Sequence, residues 1–279
     1  MRVAFLGPAG TFTEEALQVS SPADSAGGIE ELPYPTVYET VMAVHNREVD
    51  RAVVPIENSL EGSVNATLDT LAGEAADVRI AREVILPIHH CLIARDGTRM
   101  EDVRRLISHP QALAQCERFV RAQLPDVERG SVGSTAEAVQ LVAESGEPWA
   151  AIGSRISAEL YRCRLLAEAI EDRAGNETRF VWLAPRDAPA DGPESKTSVV
   201  FWGFNDESPG ALVGVLSEFA DRDINLTKIE SRPRRVQLGH YMFFADLEGG
   251  ASDPPVADAL EALRSRVAEL RVLGSYPAA

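Results

Sequence analysis

Short β-rich runs alternate with amphipathic helical patterns over the first 183 residues, and no other feature narrows the fold as much. Val3-Ala4-Phe5-Leu6 reads as a strand, Gly7-Pro8-Ala9-Gly10-Thr11 as a turn, and Thr13 to Val19 as a helix. Thr36 to Asn46 carries Val37, Val41 and Val44 at spacings of four and three, on one helical face. Arg51 to Pro55 is a short apolar strand. It runs into Ile56-Glu57-Asn58-Ser59-Leu60-Glu61-Gly62-Ser63-Val64, and a helix follows through Leu71. Repeated βα units of this kind predict an α/β domain with mostly parallel strands.

A second lobe is expected to begin near Ile80. Glu83 to Ala94 is rich in apolar and β-branched residues, and Val103 to Ile107 reads as a strand. Ser108-His109-Pro110 is a junction before a helix over Gln111 to Gln123, with Ala112, Cys116, Phe119 and Val120 on one face. Ser134-Thr135-Ala136-Glu137 is a capping box. Trp149 to Gly153 is another strand, and Leu165 to Ile170 and Thr178 to Leu183 read as returning strands. Ala184 to Lys196 is rich in Pro, Ala, Asp and Gly without periodicity, which predicts a linker.

Beyond it the order is strand (Ser198–Phe204), helix from Ser208-Pro209-Gly210, strands (Ile224–Glu230, His240–Leu247), helix (Pro254–Glu269) and strand (Arg271–Ser275). That βαββαβ order is ferredoxin-like.

Composition limits the partners. Hydrophobic residues make up 45% and charged residues 25%, as in soluble globular chains. No apolar run reaches the length of a membrane span. Three widely spaced cysteines, Cys91, Cys116 and Cys163, suit a reducing cytoplasm better than a disulfide framework. A net charge of −16 disfavours nucleic acid and anionic membranes. An anionic substrate would need a locally positive site, supplied by helix N-termini and a few arginines.

The strand ends supply candidates for that site. Gly7 to Thr11, Asn58 to Ser63, Ser108 to Gln111, Ser134-Thr135 and Gly153-Ser154 each place small polar residues where a helix starts. Helix starts present free N–H groups and partial positive charge at the carboxyl ends of strands, where α/β sheets bind ligands. The same residues are also ordinary helix caps. Gly7 to Thr11 lacks the Lys-Ser/Thr of a phosphate-binding loop. His89 and His90 are adjacent on a strand and point to opposite faces, so they cannot chelate together; with His109 they read as structural.

Five stretches then carry a resemblance. They are Gly7 to Thr13, Pro55 to Val64, Ser108 to Cys116, Ser134 to Ala138 and Thr178-Arg179-Phe180. In this order they resemble the prephenate dehydratase family. The C-terminal unit resembles an ACT domain through Gly210-Ala211-Leu212 and Glu230-Ser231-Arg232-Pro233. The resemblance implies two lobes similar to type II periplasmic binding proteins: one of about 1–76 plus 158–183, the other about 77–157. A linker over 184–196 and an ACT domain over 197–279 would follow. It implies decarboxylating dehydration of prephenate to phenylpyruvate, water and CO2, with neither cofactor nor metal. The chain starts on the first dehydratase strand, so a monofunctional enzyme is expected.

The resemblance puts Thr178 in the central catalytic place as a positioned donor to the departing hydroxyl, with Asn58, Ser108 and Gln115 as polar site residues. Thr11, Ser59, Ser63, Thr135 and Arg179 are expected substrate contacts, Arg179 as a fork for a carboxylate. It also implies L-phenylalanine at an interface between ACT domains, on Gly210, Ala211, Leu212, Asn225, Glu230, Ser231, Arg232 and Pro233. A homo-oligomer, dimer or tetramer, follows from that pairing. Arogenate dehydratase and a catalytically silent amino-acid sensor are the competing readings.

Overall fold

The computed structural model describes residues 1–21, 28–204 and 208–279. In chain order the first elements are β1 (Arg2–Leu6), α1 (Phe12–Ser20), β2 (Glu30–Tyr34), α2 (Val37–His45), β3 (Arg51–Asn58), β4 (Gly62–Ser63), α3 (Asn65–Ala72) and β5 (Val78–Pro87). Then come β6 (Cys91–Ala94), β7 (Arg105–Ser108), α4 (Pro110–Gln115), α5 (Glu117–Gln123), β8 (Glu128–Ser131), α6 (Thr135–Glu144), β9 (Trp149–Gly153), α7 (Arg155–Leu160), β10 (Arg164–Ala167) and β11 (Glu177–Pro185). The last are β12 (Lys196–Trp202), α8 (Ala211–Ala220), β13 (Leu226–Pro233), β14 (Tyr241–Glu248), α9 (Pro254–Arg264) and β15 (Glu269–Tyr276).

Three sheets result. The first has the order β2-β1-β3-β11-β5, with β4 folded back on β3. The second is β10-β6-β9-β7-β8, and the third is β13-β14-β12-β15, the ferredoxin-like unit. The chain is therefore α/β with two lobes and a βαββαβ unit, as expected. Parallel pairing is less dominant than expected. It holds for β1 with β2 and β3, and for β7 with β8 and β9. The strand β11 lies antiparallel between β3 and β5. It arrives directly from the second lobe, without a crossover helix to reverse it.

The lobe boundary also moves. Because β5 pairs with β11 in the first sheet, the chain crosses at Ile88 to His90, not near residue 77. The strand β10 pairs with β6 in the second sheet, so the return lies after Ala167, not at 158. The largely apolar stretch from Val84 to Ala94 conceals the first crossing, since sheets of both lobes draw on it. The expected helix over Gln111 to Gln123 is broken at Cys116 into α4 and α5.

The connection to the third unit is shorter and tighter than a free linker. Ala184 and Pro185 finish β11, and Lys196 begins β12. Between them, Arg51 grips Asp191 at 2.7 Å, Arg47 grips Asp187 at 2.8 Å, and Arg79 donates to the carbonyls of Ala188 and Pro189.

The third unit is not a separate body. Val199 and Phe201 of β12 pack under α8 and α9. Val200, on the opposite face, joins Met242, Phe244, Leu273 and Tyr276 in one core with Leu71, Val78, Ile80, Val181 and Leu183 of the first lobe. A Cβ added at Gly274 would sit 2.2 Å from the carbonyl oxygen of Ile80, so only glycine permits this approach of β15 to β5. Burying a shared apolar face makes the two units cooperative.

Candidate active site

A cleft of about 420 Å³ lies between the two lobes. Its walls come from the strand-end segments singled out in the sequence. Thr11, Phe12 and Thr13 open α1, Val64 precedes α3, His109 and Gln111 open α4, and Ser134 and Thr135 open α6; all line the cleft. Thr11 caps α1 and donates its hydroxyl to the Leu6 carbonyl; Ser134 caps α6. Ser154 instead ties Gly10 from behind, through a 2.7 Å bond to its carbonyl.

The positive bias rests on backbone alone. Among the described residues no arginine or lysine lines the cleft, and one carboxylate, Glu61, does. Each helix start carries roughly half an elementary charge. The expected arginine clamp is therefore corrected. Strand alternation sets Thr178 and Phe180 facing the cleft and Arg179 facing the ferredoxin-like unit. There Arg179 donates to Glu83 (2.6 Å), Asp246 (2.5 Å) and the Tyr276 hydroxyl (2.8 Å). Burial works to lower the Arg179 pKa, but the carboxylates of Asp246 and Glu83 outweigh it and raise it overall. Burial, reinforced by Asp246, also raises the Tyr276 phenol, which stays protonated.

On the cleft side Thr178 pairs across the sheet with Asn58. Asn58 Oδ1 accepts the backbone N–H groups of Leu60 (3.0 Å) and Glu61 (3.1 Å). A backbone N–H can only donate, so these two bonds identify the oxygen and leave Nδ2 on the other side. That Nδ2 donates to Thr178 Oγ1 and Asn176 Oδ1, each at 2.8 Å, and lies 3.2 Å from the Glu177 carbonyl. Thr178 Oγ1 is therefore an acceptor toward Asn58, and among the described residues no group takes its own proton, which is free for the cleft.

The same polarity runs outward. Asn176 Nδ2 donates to Gln115 Oε1 (3.2 Å), which also lies 2.9 Å from His90 Nε2. An amide oxygen only accepts, so His90 carries its proton on Nε2. His90 Nδ1 has no hydrogen-bond partner among the described residues. Burial lowers the His90 pKa, partly offset by Gln115 and Glu171, so the ring stays neutral at pH 7. A depressed histidine binds fewer protons folded than unfolded. Stability is thus lost as pH falls below the unfolded value of 6.5. In His90→Gln, urea midpoints measured from pH 7 to 5 should fall less steeply than in the parent; parallel slopes would refute this.

Several expected contacts lie elsewhere. Ser108 is fully buried and donates to the Ile152 carbonyl at 2.6 Å, tying β7 to β9. Ser59 accepts from the Glu177 N–H (3.0 Å) and braces the back of the cluster. Ser63 does line the cleft, but its hydroxyl engages Glu230 and Lys228 of the ferredoxin-like unit. Gln115 and Thr135 line the cleft. Asn176, His90 and His109 also line it; of these, His90 belongs to none of the candidate stretches. Asn176 stands two residues before Thr178, in the same polar stretch at the head of β11. His90 carries no local signal of this kind, because the crossing between lobes that aims it is tertiary.

The eight expected effector residues divide in the same way. Gly210 sits at φ 85° as the cap of α8, followed by Ala211 and Leu212. Asn225 reaches Glu248 (3.0 Å). On β13, alternation leaves Ser231 and Pro233 exposed but turns Glu230 to Ser63 and Arg232 onto Asp69, bidentate at 2.9 Å. Glu230 and Arg232 are thus committed to the contact between units, not to an open effector site.

Comparison with known proteins fits this arrangement. The family model for prephenate dehydratase matches residues 3–188, and that for the ACT domain matches residues 201–265. Prephenate dehydratase of Mycolicibacterium vanbaalenii is 42% identical, covering 99% of this chain and 90% of that protein. The structure of prephenate dehydratase in complex with L-Phe from Arthrobacter aurescens has a TM-score of 0.88 at 40% identity, covering 99% of this chain and 90% of that one. A protein described as a novel type of quorum-quenching acylase, GqqA, has a TM-score of 0.87 at 31% identity, covering 100% of this chain and 98% of that one. With near-complete coverage and both domain models in register, the chain belongs to the prephenate dehydratase family, with an ACT domain following its two-lobed unit.

Proposed function

We propose that this protein converts prephenate to phenylpyruvate, water and CO2, and that L-phenylalanine restrains it through the ACT domain. The ring carboxylate leaves as CO2, its bonding pair completes the aromatic ring, and the ring C–O bond breaks. The departing oxygen takes up a proton and leaves as water. Aromatisation drives the reaction, so the site must hold a dianion and place a donor at the leaving oxygen.

The observation that carries this reading is the free proton of Thr178. Its oxygen is held by Asn58 Nδ2 at 2.8 Å, so the O–H is pre-oriented to donate at the moment charge develops. The helix starts around it favour the substrate carboxylates. An acylase would need a nucleophile beside a base. The partner of the Thr178 hydroxyl is an amide donor, which favours the lyase.

Thr11, Ser63, Thr135, Asn58 and Gln115 would frame the substrate; Ser108, Ser59 and Arg179 would act from behind it. Effector binding would use Gly210, Ala211, Leu212, Asn225, Ser231 and Pro233. Val213 and Ile229 are exposed apolar residues of this unit, and β13 is an edge strand, which supports pairing with a second copy. Three free cysteines suit a reducing cytoplasm.

Mixing purified protein with prephenate near neutral pH should give phenylpyruvate, at a rate lowered by L-phenylalanine. Arogenate, with an amine in place of the side-chain ketone, should react more slowly. Binding of prephenate without turnover would favour a sensor.

A further inference from the structure

Of the 27 cationic side chains in the chain only two are lysines, Lys196 and Lys228, and both lie where the ACT domain meets the first lobe. Lys196 Nζ reaches Glu83 at 2.5 Å. Lys228 Nζ, on β13, donates to Ser63 Oγ at 2.6 Å and lies 3.2 Å from Glu57 and 3.6 Å from Glu230. An ammonium directs three hydrogens from one point, which suits acceptors that converge on a point; a guanidinium spreads its donors over a wider planar fork. Only about a tenth of the Lys228 side chain is exposed.

What Lys228 holds is the turn between β3 and β4. Ser63 ends that turn and lines the cleft. Asn58 begins it and orients Thr178. Glu61, within it, meets Gln115 of the second lobe at 3.4 Å. Six residues therefore touch the ACT domain, the Thr178 hydroxyl and the opposite wall of the cleft. Glu57, one residue before Asn58, faces the ACT domain, between Lys228 (3.2 Å) and Arg179 (3.6 Å). The cleft pair Asn58 and Thr178 is thus one register step from an ACT-facing pair, Glu57 and Arg179.

We infer that Lys228 is a positioning residue: through Ser63 and Glu57 it sets the Asn58–Ser63 turn, and through that turn the state of the ACT domain reaches the cleft. This rests on the dehydratase reading. A shift of β13 would pull Ser63 and Glu57 together, because one ammonium grips both, and Asn58 would move with them.

The test uses the full chain with Lys228→Met and Lys228→Arg. Steady-state kinetics with prephenate are measured, and calorimetry gives the L-phenylalanine Kd with and without a non-reacting prephenate analogue. Coupling makes the substrate weaken effector binding by a definite ratio, commonly about 5- to 150-fold. In Lys228→Met that ratio should fall close to 1, and KM should rise more than kcat falls. Loss of packing alone would shift the melting temperature without touching the ratio. Should Lys228→Met fail to fold, Lys228→Arg decides: it keeps the charge beside Glu57 but its longer, planar fork moves the donors away from the point where Lys228 Nζ meets Ser63, and it should also lose most of the coupling. A parent-like ratio in either folded variant overturns the inference, as does a parent enzyme that turns over prephenate yet ignores L-phenylalanine. A parent with no turnover counts instead against the functional reading.

Discussion

Thr178→Ala should lower turnover of prephenate by about 10²- to 10³-fold, the usual cost of removing one pre-organised donor to developing negative charge. The substrate's KM should change little, because a bond made mainly to the departing oxygen acts in the transition state. The fold should survive. After truncation Asn58 Nδ2 keeps Asn176 Oδ1 at 2.8 Å and the Glu177 carbonyl at 3.2 Å, so no buried donor is stranded. The loss of stability is expected to stay near ~1 kcal/mol. Thr178→Ser, which keeps the oxygen within reach of Asn58, should recover much of the rate. Near-normal phenylpyruvate formation by Thr178→Ala would remove Thr178 from the mechanism.

Arg179→Met should cost far more stability than a surface arginine would, about 3–5 kcal/mol. Its guanidinium answers Glu83 and Asp246, both nearly inaccessible, and the buried Tyr276 hydroxyl. Lys196 remains beside Glu83, but among the described residues Asp246 keeps only Ser198 Oγ, on its other oxygen. The urea midpoint is the measurement. The double variant Arg179→Met with Asp246→Asn should regain part of the loss, since the uncompensated charge is gone. A midpoint shift of a few tenths of a kcal/mol would mean that the cluster is solvated and that the units are held by their apolar core alone. The activity of Arg179→Met should fall less than that of Thr178→Ala, the reverse of what a substrate clamp requires.

The legible parts of the fold share one property: their signal is local. The strand-like runs of β1, β3 and β9 are apolar through most of their length, and the capping residues Thr11, Ser134 and Ser154 bond their own helix starts. The elements that escaped notice lie at sheet edges. In β2, Glu30-Glu31-Leu32-Pro33-Tyr34 is largely exposed and carries a proline, and β8 is Glu128-Arg129-Gly130-Ser131. Edge strands bury little and so show no apolar alternation. The lobe boundary was misplaced for the opposite reason, since β5 and β6 are apolar on both sides of the crossing.

The sequence by itself determined the α/β class, the ferredoxin-like unit and the helix starts around the cleft, and its motifs singled out Thr178 and Asn58, which the structure brings into contact there. These depend on period, capping and motif, all read over a few neighbouring residues. Tertiary structure alone decided which way Arg179 turns, that among the described residues no arginine or lysine lines the cleft, and that His90 joins it. The physical reason is that β11 is covered on both faces, by the cleft on one side and the ACT domain on the other. A strand's alternation says that Thr178 and Arg179 point apart. It cannot say which side holds the substrate when either side would bury them.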